Sequence, residues 1–398
     1  MPSAFSNLRS SLLLPAAVIS AIGLSSYLLL NRPPSVLPNH IPSPRTKLLS
    51  LTEDEIAKLP YPPTFYPGGR WVKTPHGTIR VYEFGPEDGR KVLFVHGISM
   101  PCSVYRDLAW RLVEEGGCRV MLFDLYGRGW SDSPVDRPHD SNLYNTQIHS
   151  VLLSSPLPWL SPREPFSIVG YSLGGCLVPS FMLSLPEAQL ASISTVVLLA
   201  PAGLLQAAKM PIFAKLAYNG WLPTALQTII AKRYMRKGMQ EFSVDNTDRN
   251  KTLDLDSIAG WQASTHKGYL PAWVSSFRYC PIFDSREMFT EFRKLVDTGA
   301  FGAKEGNGRV FILMGGKDTV VRFDEVAPIA KEILHLKDEE EGGREGHIKL
   351  KVWEDAEHEM VGRSGSELAR EILAFWGAKE REQEQIPPAD MEQSWVQA

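Results

Sequence analysis

A serine, an aspartate and a histidine, far apart along the chain, have the types and settings that nucleophilic chemistry needs. Ser172 lies in Gly170-Tyr171-Ser172-Leu173-Gly174, the one G-x-S-x-G of the sequence. The pentapeptide follows the apolar run Phe166 to Val169 and precedes a segment with helical periodicity, which places the serine at a strand-turn-helix junction. Glycines on either side allow a turn tight enough to strain the serine backbone and present its hydroxyl at a sheet edge. A serine hydroxyl is a poor nucleophile at neutral pH, so a base must take its proton and an acid must hold that base in one tautomer.

The partners are expected later in the chain, each directly behind a strand. Asp318 ends Gly315-Gly316-Lys317-Asp318, behind Val310 to Leu313, and His358 ends Glu354-Asp355-Ala356-Glu357-His358, behind Leu350 to Trp353. The chain order is then Ser, Asp, His. His335 at a helix end and His347 beside a charged insert do not follow a terminal strand, which favours His358. Asp324 and Asp355 compete with Asp318, although Asp324 suits the N-cap of the following helix. Two backbone donors are needed for the oxyanion that develops during acyl transfer: the N–H of Leu173, by position, and the N–H of Ile98, which Gly97 allows to approach closely. His96 reads as a structural residue bonded to nearby loop backbone. This chemistry requires no metal and no organic cofactor.

The elements that must position these groups follow a regular beat. Arg70 to Lys73 and Thr78 to Phe84 are β-like runs joined by Pro75-His76-Gly77, a hairpin at a sheet edge. Six short, mostly apolar runs follow, starting at Val92, Val120, Phe166, Val196, Val310 and Leu350. Apolar runs without alternation suit strands covered on both faces, so the expected fold class is α/β: a doubly wound, mostly parallel eight-stranded sheet. Crossover helices are expected near Tyr105 to Glu115, Leu173 to Leu185, Asp324 to Leu334 and Glu367 to Trp376. The beat breaks once, over residues 204–292, where helical periodicity and Trp221, Trp261 and Trp273 indicate a helical cap over the functional edge. The core is then 65–203 and 293–377, and the charged stretch Lys337 to Gly346 is expected to be a surface loop.

Leu12 to Leu30 carries no charge, and nineteen residues at about 1.5 Å each nearly span a bilayer core of about 30 Å. Residues 1–31 are therefore expected to be a single-pass membrane anchor, compatible with the endoplasmic reticulum. The alternative is a cleaved signal and a secreted protein; the apolar run is long for a signal, and no small-x-small site precedes Asn31. Residues 32–64, rich in proline, are expected to form a stiff exposed spacer, and 378–398 a disordered, Glu/Gln-rich tail. The formal charge of −3 and the absence of a basic run argue against a nucleic-acid partner. Four cysteines without a C-x-x-C pair suggest neither a zinc cluster nor a disulfide framework. Asn250-Lys251-Thr252 is a sequon that matters only in a secretory lumen, and nothing in the sequence specifies an oligomeric state.

His96-Gly97, Asp124-Leu125-Tyr126-Gly127-Arg128-Gly129-Trp130-Ser131, Gly170 to Gly175, Gly316-Lys317-Asp318 and His358 occur in that order. With them, residues from about Arg70 to Gly377 resemble the capped α/β-hydrolase superfamily, in the branch of monoacylglycerol lipases and carboxylesterases. The Asp124 to Ser131 stretch is similar to the turn after that family's fourth strand, which is structural there. Epoxide hydrolases and haloalkane dehalogenases of this fold carry an aspartate at the nucleophile position, and Ser172 argues against both. The resemblance implies hydrolysis of a carboxylic ester through an acyl-enzyme, and the anchor and aromatic cap point to a lipophilic small-molecule substrate such as an acylglycerol. The same triad also serves thioester, amide and carbon–carbon bond hydrolysis, and a non-catalytic binding protein of the fold is the remaining alternative.

Overall fold

Each central strand alternates its side chains between two apolar layers, which is why its sequence reads as an unbroken apolar run. In the computed structural model, which describes residues 39–210, 254–302, 308–335 and 347–377 and the isolated positions 212, 215, 226 and 229, the strands are β1 (Gly69–Thr74), β2 (Gly77–Phe84), β3 (Lys91–Val95), β4 (Arg119–Phe123), β5 (Phe166–Tyr171), β6 (Ile193–Leu199), β7 (Arg309–Gly315) and β8 (Ile348–Trp353). They form one eight-stranded sheet in the order β8-β7-β6-β5-β3-β4-β2-β1. The β1–β2 and β2–β4 pairs are antiparallel and the others parallel. Val92 and Phe94 enter one core and Leu93 and Val95 the other. Strands β3, β5 and β6 are buried throughout, whereas the edge strand β1 alternates between exposed and half-buried positions.

Among the described residues the α-helices longer than five residues are α1 (Arg106–Glu114), α2 (Ser141–Leu153), α3 (Leu173–Ser184), α4 (Leu255–Thr265), α5 (Tyr269–Tyr279), α6 (Arg286–Thr298), α7 (Phe323–Ile333) and α8 (Gly365–Trp376). Helices α1 and α8 pack together on one face of the sheet, and α2, α3 and α6 on the other. Asp140 caps α2 by accepting from the Leu143 N–H at 3.0 Å. Register aligns the strand ends: Val95 with Gly170, Tyr171 with Leu199, Leu199 with Leu313, and Gly315 with Trp353. Whatever follows these five strands is delivered to one edge.

Three sequence expectations need correction. Residues 39–64 are not a free spacer. His40–Ile41 pairs with Ser133–Pro134, the Ser43 N–H and the Arg45 guanidinium reach Asp132 at 2.8 and 3.2 Å, and Tyr61 is fully buried with its hydroxyl on Asp124 at 3.1 Å. The prolines stiffen this arm, but two buried carboxylates of the 124–132 turn recruit it as a source of donors. Helix α6 runs unbroken across the expected 292/293 boundary, because Phe289, Phe292 and Val296 continue one apolar face into the main core. Arg322, not Asp324, is the N-cap of α7; Asp324 sits in the first turn, where the helix dipole favours its charge.

The stretch Leu12 to Leu30, the sequon at Asn250, the insert from Lys337 and the tail from Lys379 lie outside the described residues, as does most of 211–253. Among the described residues no helix is long and apolar enough to cross a membrane.

Three histidines are buried as neutral rings: burial pushes the pKa of His96 and of His139 down to about 3 and that of His266 to about 4. In the unfolded chain each takes its proton near pH 6.5. A base with a depressed folded pKa stabilises the fold above its unfolded value and loses that contribution as pH falls. Stability against denaturant is therefore expected to fall from pH 6.5 down to about 4, with up to about three protons bound on unfolding. His139→Leu, which removes a ring whose Nε2 has no partner among the described residues, should make that pH slope shallower by about 1.4 kcal/mol per pH unit. An unchanged slope would show that His139 is not held neutral.

Candidate active site

Ser172 is the first residue after β5 and the N-cap of α3, with φ 54 and ψ −113. Such a left-handed conformation costs a serine about 1–3 kcal/mol and must be enforced by its surroundings. The enforcement is visible in the backbone. The Ser172 N–H donates to Leu199 O at 3.0 Å, and its carbonyl accepts from the N–H groups of Gly175 at 2.9 Å and Ala202 at 3.0 Å. A Cβ on residue 174 would lie 1.9 Å from Val95 O, and one on residue 170 would lie 2.4 Å from Gly174 O. The two glycines of the pentapeptide are thus required by close chain approach between β3, β5 and α3.

Asp318 and His358 come from the loops after β7 and β8. The Ser172 Oγ lies 3.0 Å from His358 Nε2, and His358 Nδ1 lies 2.7 Å from Asp318 Oδ2. The other carboxylate oxygen, Oδ1, accepts from the N–H groups of Val320 at 2.8 Å and Val321 at 2.7 Å. An ionised carboxylate only accepts, so the imidazole proton sits on Nδ1 and leaves Nε2 free to receive the serine proton. The two loops are zipped to each other: Gly316 N–H donates to Trp353 O at 2.8 Å and Lys317 N–H to Ala356 O at 3.0 Å. A Cβ on Gly315 or Gly316 would come within 2.4 Å of Ala356 O or 2.6 Å of Glu354 O. Tyr171 adds a third restraint, donating its hydroxyl to the carbonyl of His358 at 2.8 Å. The acid-to-base distance is therefore set by main-chain packing.

Of the two residues expected to supply oxyanion donors, Leu173 follows the serine directly and Ile98 ends a segment that passes beside it. Leu173 opens α3, where the first N–H groups have no intrahelical acceptor. A Cβ on Gly97 would lie 3.2 Å from Ser172 Cβ, so the segment from His96 to Ile98 passes against Ser172. His96 Nε2 accepts from the Leu125 N–H at 2.8 Å, which leaves Nδ1 as the donor to Gly97 O, also at 2.8 Å. Since the peptide is planar and trans, the Ile98 N–H in that plane is turned away from the imidazole. The 124–131 turn behind it is a buried hub. The Asp124 carboxylate accepts from the N–H groups of Cys102 and Trp130, and burial pushes its pKa up to about 6 against the pull of these donors.

The rival residues are elsewhere. Asp355 is exposed and paired with Lys317 at 2.6 Å, His347 faces Gly308 O at 3.3 Å, and His335 follows the end of α7 at φ 52. Among the described residues no group of three or more His, Cys, Asp or Glu side chains is arranged to hold a metal ion, and the four cysteines are buried and free. Sequence reasoning missed Tyr171 and the Gly315-Gly316 contact. Tyr171 is the variable second position of G-x-S-x-G, and the contact depends on a loop 40 residues away along the chain.

A model of the alpha/beta hydrolase family matches residues 92–371. No curated protein matches the chain. Among solved structures, an esterase from Exiguobacterium antarcticum is similar, with 17% identity, a TM-score of 0.55, and coverage of 78% of this chain and 100% of that one. A bromoperoxidase from Bacillus anthracis is 16% identical with a TM-score of 0.56, covering 78% and 99%. A thioesterase domain from the curacin biosynthetic pathway is 16% identical with a TM-score of 0.51, covering 77% and 98%. At these identities the likeness speaks for the fold alone. On the match over residues 92–371 and on this architecture, the chain belongs to the alpha/beta hydrolase family and is a hydrolase.

Proposed function

We propose that the protein hydrolyses carboxylic esters of lipophilic, acylglycerol-like substrates through an acyl-enzyme on Ser172, at a membrane surface to which residues 1–31 anchor it. The observation that carries the catalytic part is the unbroken relay of two hydrogen bonds, Ser172 Oγ to His358 Nε2 and His358 Nδ1 to Asp318 Oδ2. In the first half-reaction Oγ forms a bond to the ester carbonyl carbon, the serine proton passes to Nε2, and the carbonyl electron pair moves onto oxygen. The N–H groups of Leu173 and Ile98 are assigned to that oxyanion, where loss of one donor typically costs about 10²–10³ in rate. The tetrahedral intermediate collapses as the carbon–oxygen bond to the alcohol breaks, and the alcohol leaves with the proton from Nε2. Water then repeats the sequence, giving its proton to His358 and releasing the acid and the free serine. Asp318, fully buried, holds the tautomer and stabilises the transient imidazolium. The uncharged run Leu12 to Leu30 and the aromatic content of the cap span support a lipophilic substrate met near a bilayer.

A fluorophosphonate probe should label the purified protein, and Ser172→Ala should abolish the labelling. If the folded wild type takes no Ser172-dependent label, the enzymatic reading fails. Asp318→Asn keeps the shape but offers the wrong tautomer to His358, and kcat should drop roughly ten-thousand-fold with the melting temperature nearly unchanged. Turnover of p-nitrophenyl esters should rise from acetyl to longer acyl chains; fastest turnover on acetyl with none on longer chains would remove the lipophilic part. The full chain should sediment with membranes and a version lacking residues 1–30 should not; equal partition of both would remove the anchor.

A further inference from the structure

Three successive carbonyls in the segment that carries the Ile98 N–H are held by side chains. Gly97 O is held by His96, as above. Ile98 O accepts from Arg128 Nε at 3.1 Å, and Ser99 O accepts from Gln262 Nε2 at 2.9 Å and from the Tyr269 hydroxyl at 2.9 Å. The Ser99 hydroxyl in turn accepts from Trp273 Nε1 at 3.2 Å. Gln262 belongs to α4 and Tyr269 and Trp273 to α5, both in the inserted cap. We propose that these cap helices are the mount of the second oxyanion donor, with Arg128, Gln262 and Tyr269 as positioning residues. The proposal rests on the acyl-transfer reading of Ser172 and assigns residues that the reading itself does not use.

Arg128 is the link between the catalytic loop and the cap. It is fully buried, and its guanidinium donates to Ile98 O, to Tyr126 O at 2.9 Å, to the Tyr144 hydroxyl, and to Ser276 Oγ on α5 at 2.9 Å. All of these acceptors are neutral, and among the described residues no carboxylate lies within ion-pair distance of it. Burying a cation without a counter-charge is costly, so packing alone does not account for it. Beside a residue whose N–H faces a developing negative charge, however, an uncompensated cation stabilises the transition state more than the ground state. Gln262 is likewise fully buried and bridges two parts of the core, accepting from the Gly129 N–H at 2.7 Å while donating to Ser99 O.

The cap is seated against this turn by close contact. A Cβ on Gly127 would lie 2.2 Å from Ala272 Cβ, and one on Gly268 would lie 2.3 Å from Ser133 Cβ. Lifting α4 and α5 would therefore strip both donors from Ser99 O and take Ser276 away from Arg128, loosening the guanidinium that holds Ile98 O and the peptide that carries the oxyanion N–H. These two helices stay docked through the catalytic cycle.

The test uses an alkyl trifluoromethyl ketone, which adds Ser172 Oγ to its carbonyl and leaves an oxyanion where the tetrahedral intermediate carries one. Arg128→Lys keeps the charge but cannot span Ile98 O and Ser276 together, and Tyr269→Phe removes one hydroxyl. Rates are normalised to active sites titrated with the fluorophosphonate. For Arg128→Lys, kcat should fall about tenfold or more with KM within about twofold, and the Ki of the ketone should rise by the factor by which kcat/KM falls. Tyr269→Phe should move the same quantities in the same proportion by a smaller factor, and it keeps the proposal testable should Arg128→Lys not fold. Variants that lower the melting temperature or raise KM while leaving kcat and the ketone Ki unchanged would overturn the mount. A wild type that forms no ketone adduct at Ser172 would instead overturn the acyl-transfer reading, and the mount with it.

Discussion

A serine held at φ 54 would relax to an ordinary conformation in a free loop, at a gain of a few kcal/mol. Here it cannot, because its N–H is tied to the end of β6, its carbonyl is tied to the start of α3 and to Ala202, and the carbonyl of Val95 presses on residue 174 where only glycine fits. The energy for this comes from the sheet. Strands β3, β5 and β6 are buried on both faces, so their register cannot slip without exposing apolar rows to water. Ser172 is thus positioned by hydrophobic burial a few residues away from it.

The same rigidity serves the other site residues through buried polar contacts. Asp318 has all its hydrogen bonds made within the fold, two to main-chain N–H groups of its own loop and one to His358. That leaves the imidazole one orientation and one tautomer. His96 plays the opposite part: burial keeps it neutral, and its two nitrogens, one accepting and one donating, hold the peptide before Ile98.

Polar burial also explains the arm at residues 39–66. Asp132 loses solvation on burial, but main-chain N–H groups from Ser43 and Thr78 and the guanidinium of Arg45 outweigh that loss and hold its carboxyl below the ordinary value. Asp124 draws Tyr61 into the core in the same way. Two acidic residues of one turn thereby fasten residues 40–61, and that turn also contacts α4 and α5 through Gly129 and Arg128. The arm, the segment from His96 to Ser99 and helices α4 and α5 share one polar junction.

Much of this was legible along the chain. Apolar runs marked the strands, a motif marked the strained serine, and the position of Asp318 and His358 behind strands marked the partners, because each signal is local and set by period or by turn chemistry. What local pattern could not show was whatever depends on a carbonyl or carboxylate brought near from elsewhere. The arm read as a spacer because nothing near Tyr61 announces Asp124; α6 was divided because its apolar face faces a core that only the folded sheet creates. Arg128 and Gln262 look like ordinary polar residues until α4 and α5 pack beside Ile98 and Ser99. The residue types and their order along the polymer determined which chemistry was available; the distances that make it available, 3.0 Å from Ser172 Oγ to His358 and 2.7 Å from there to Asp318, were decided by sheet register and buried main-chain contacts, which no stretch of sequence contains by itself.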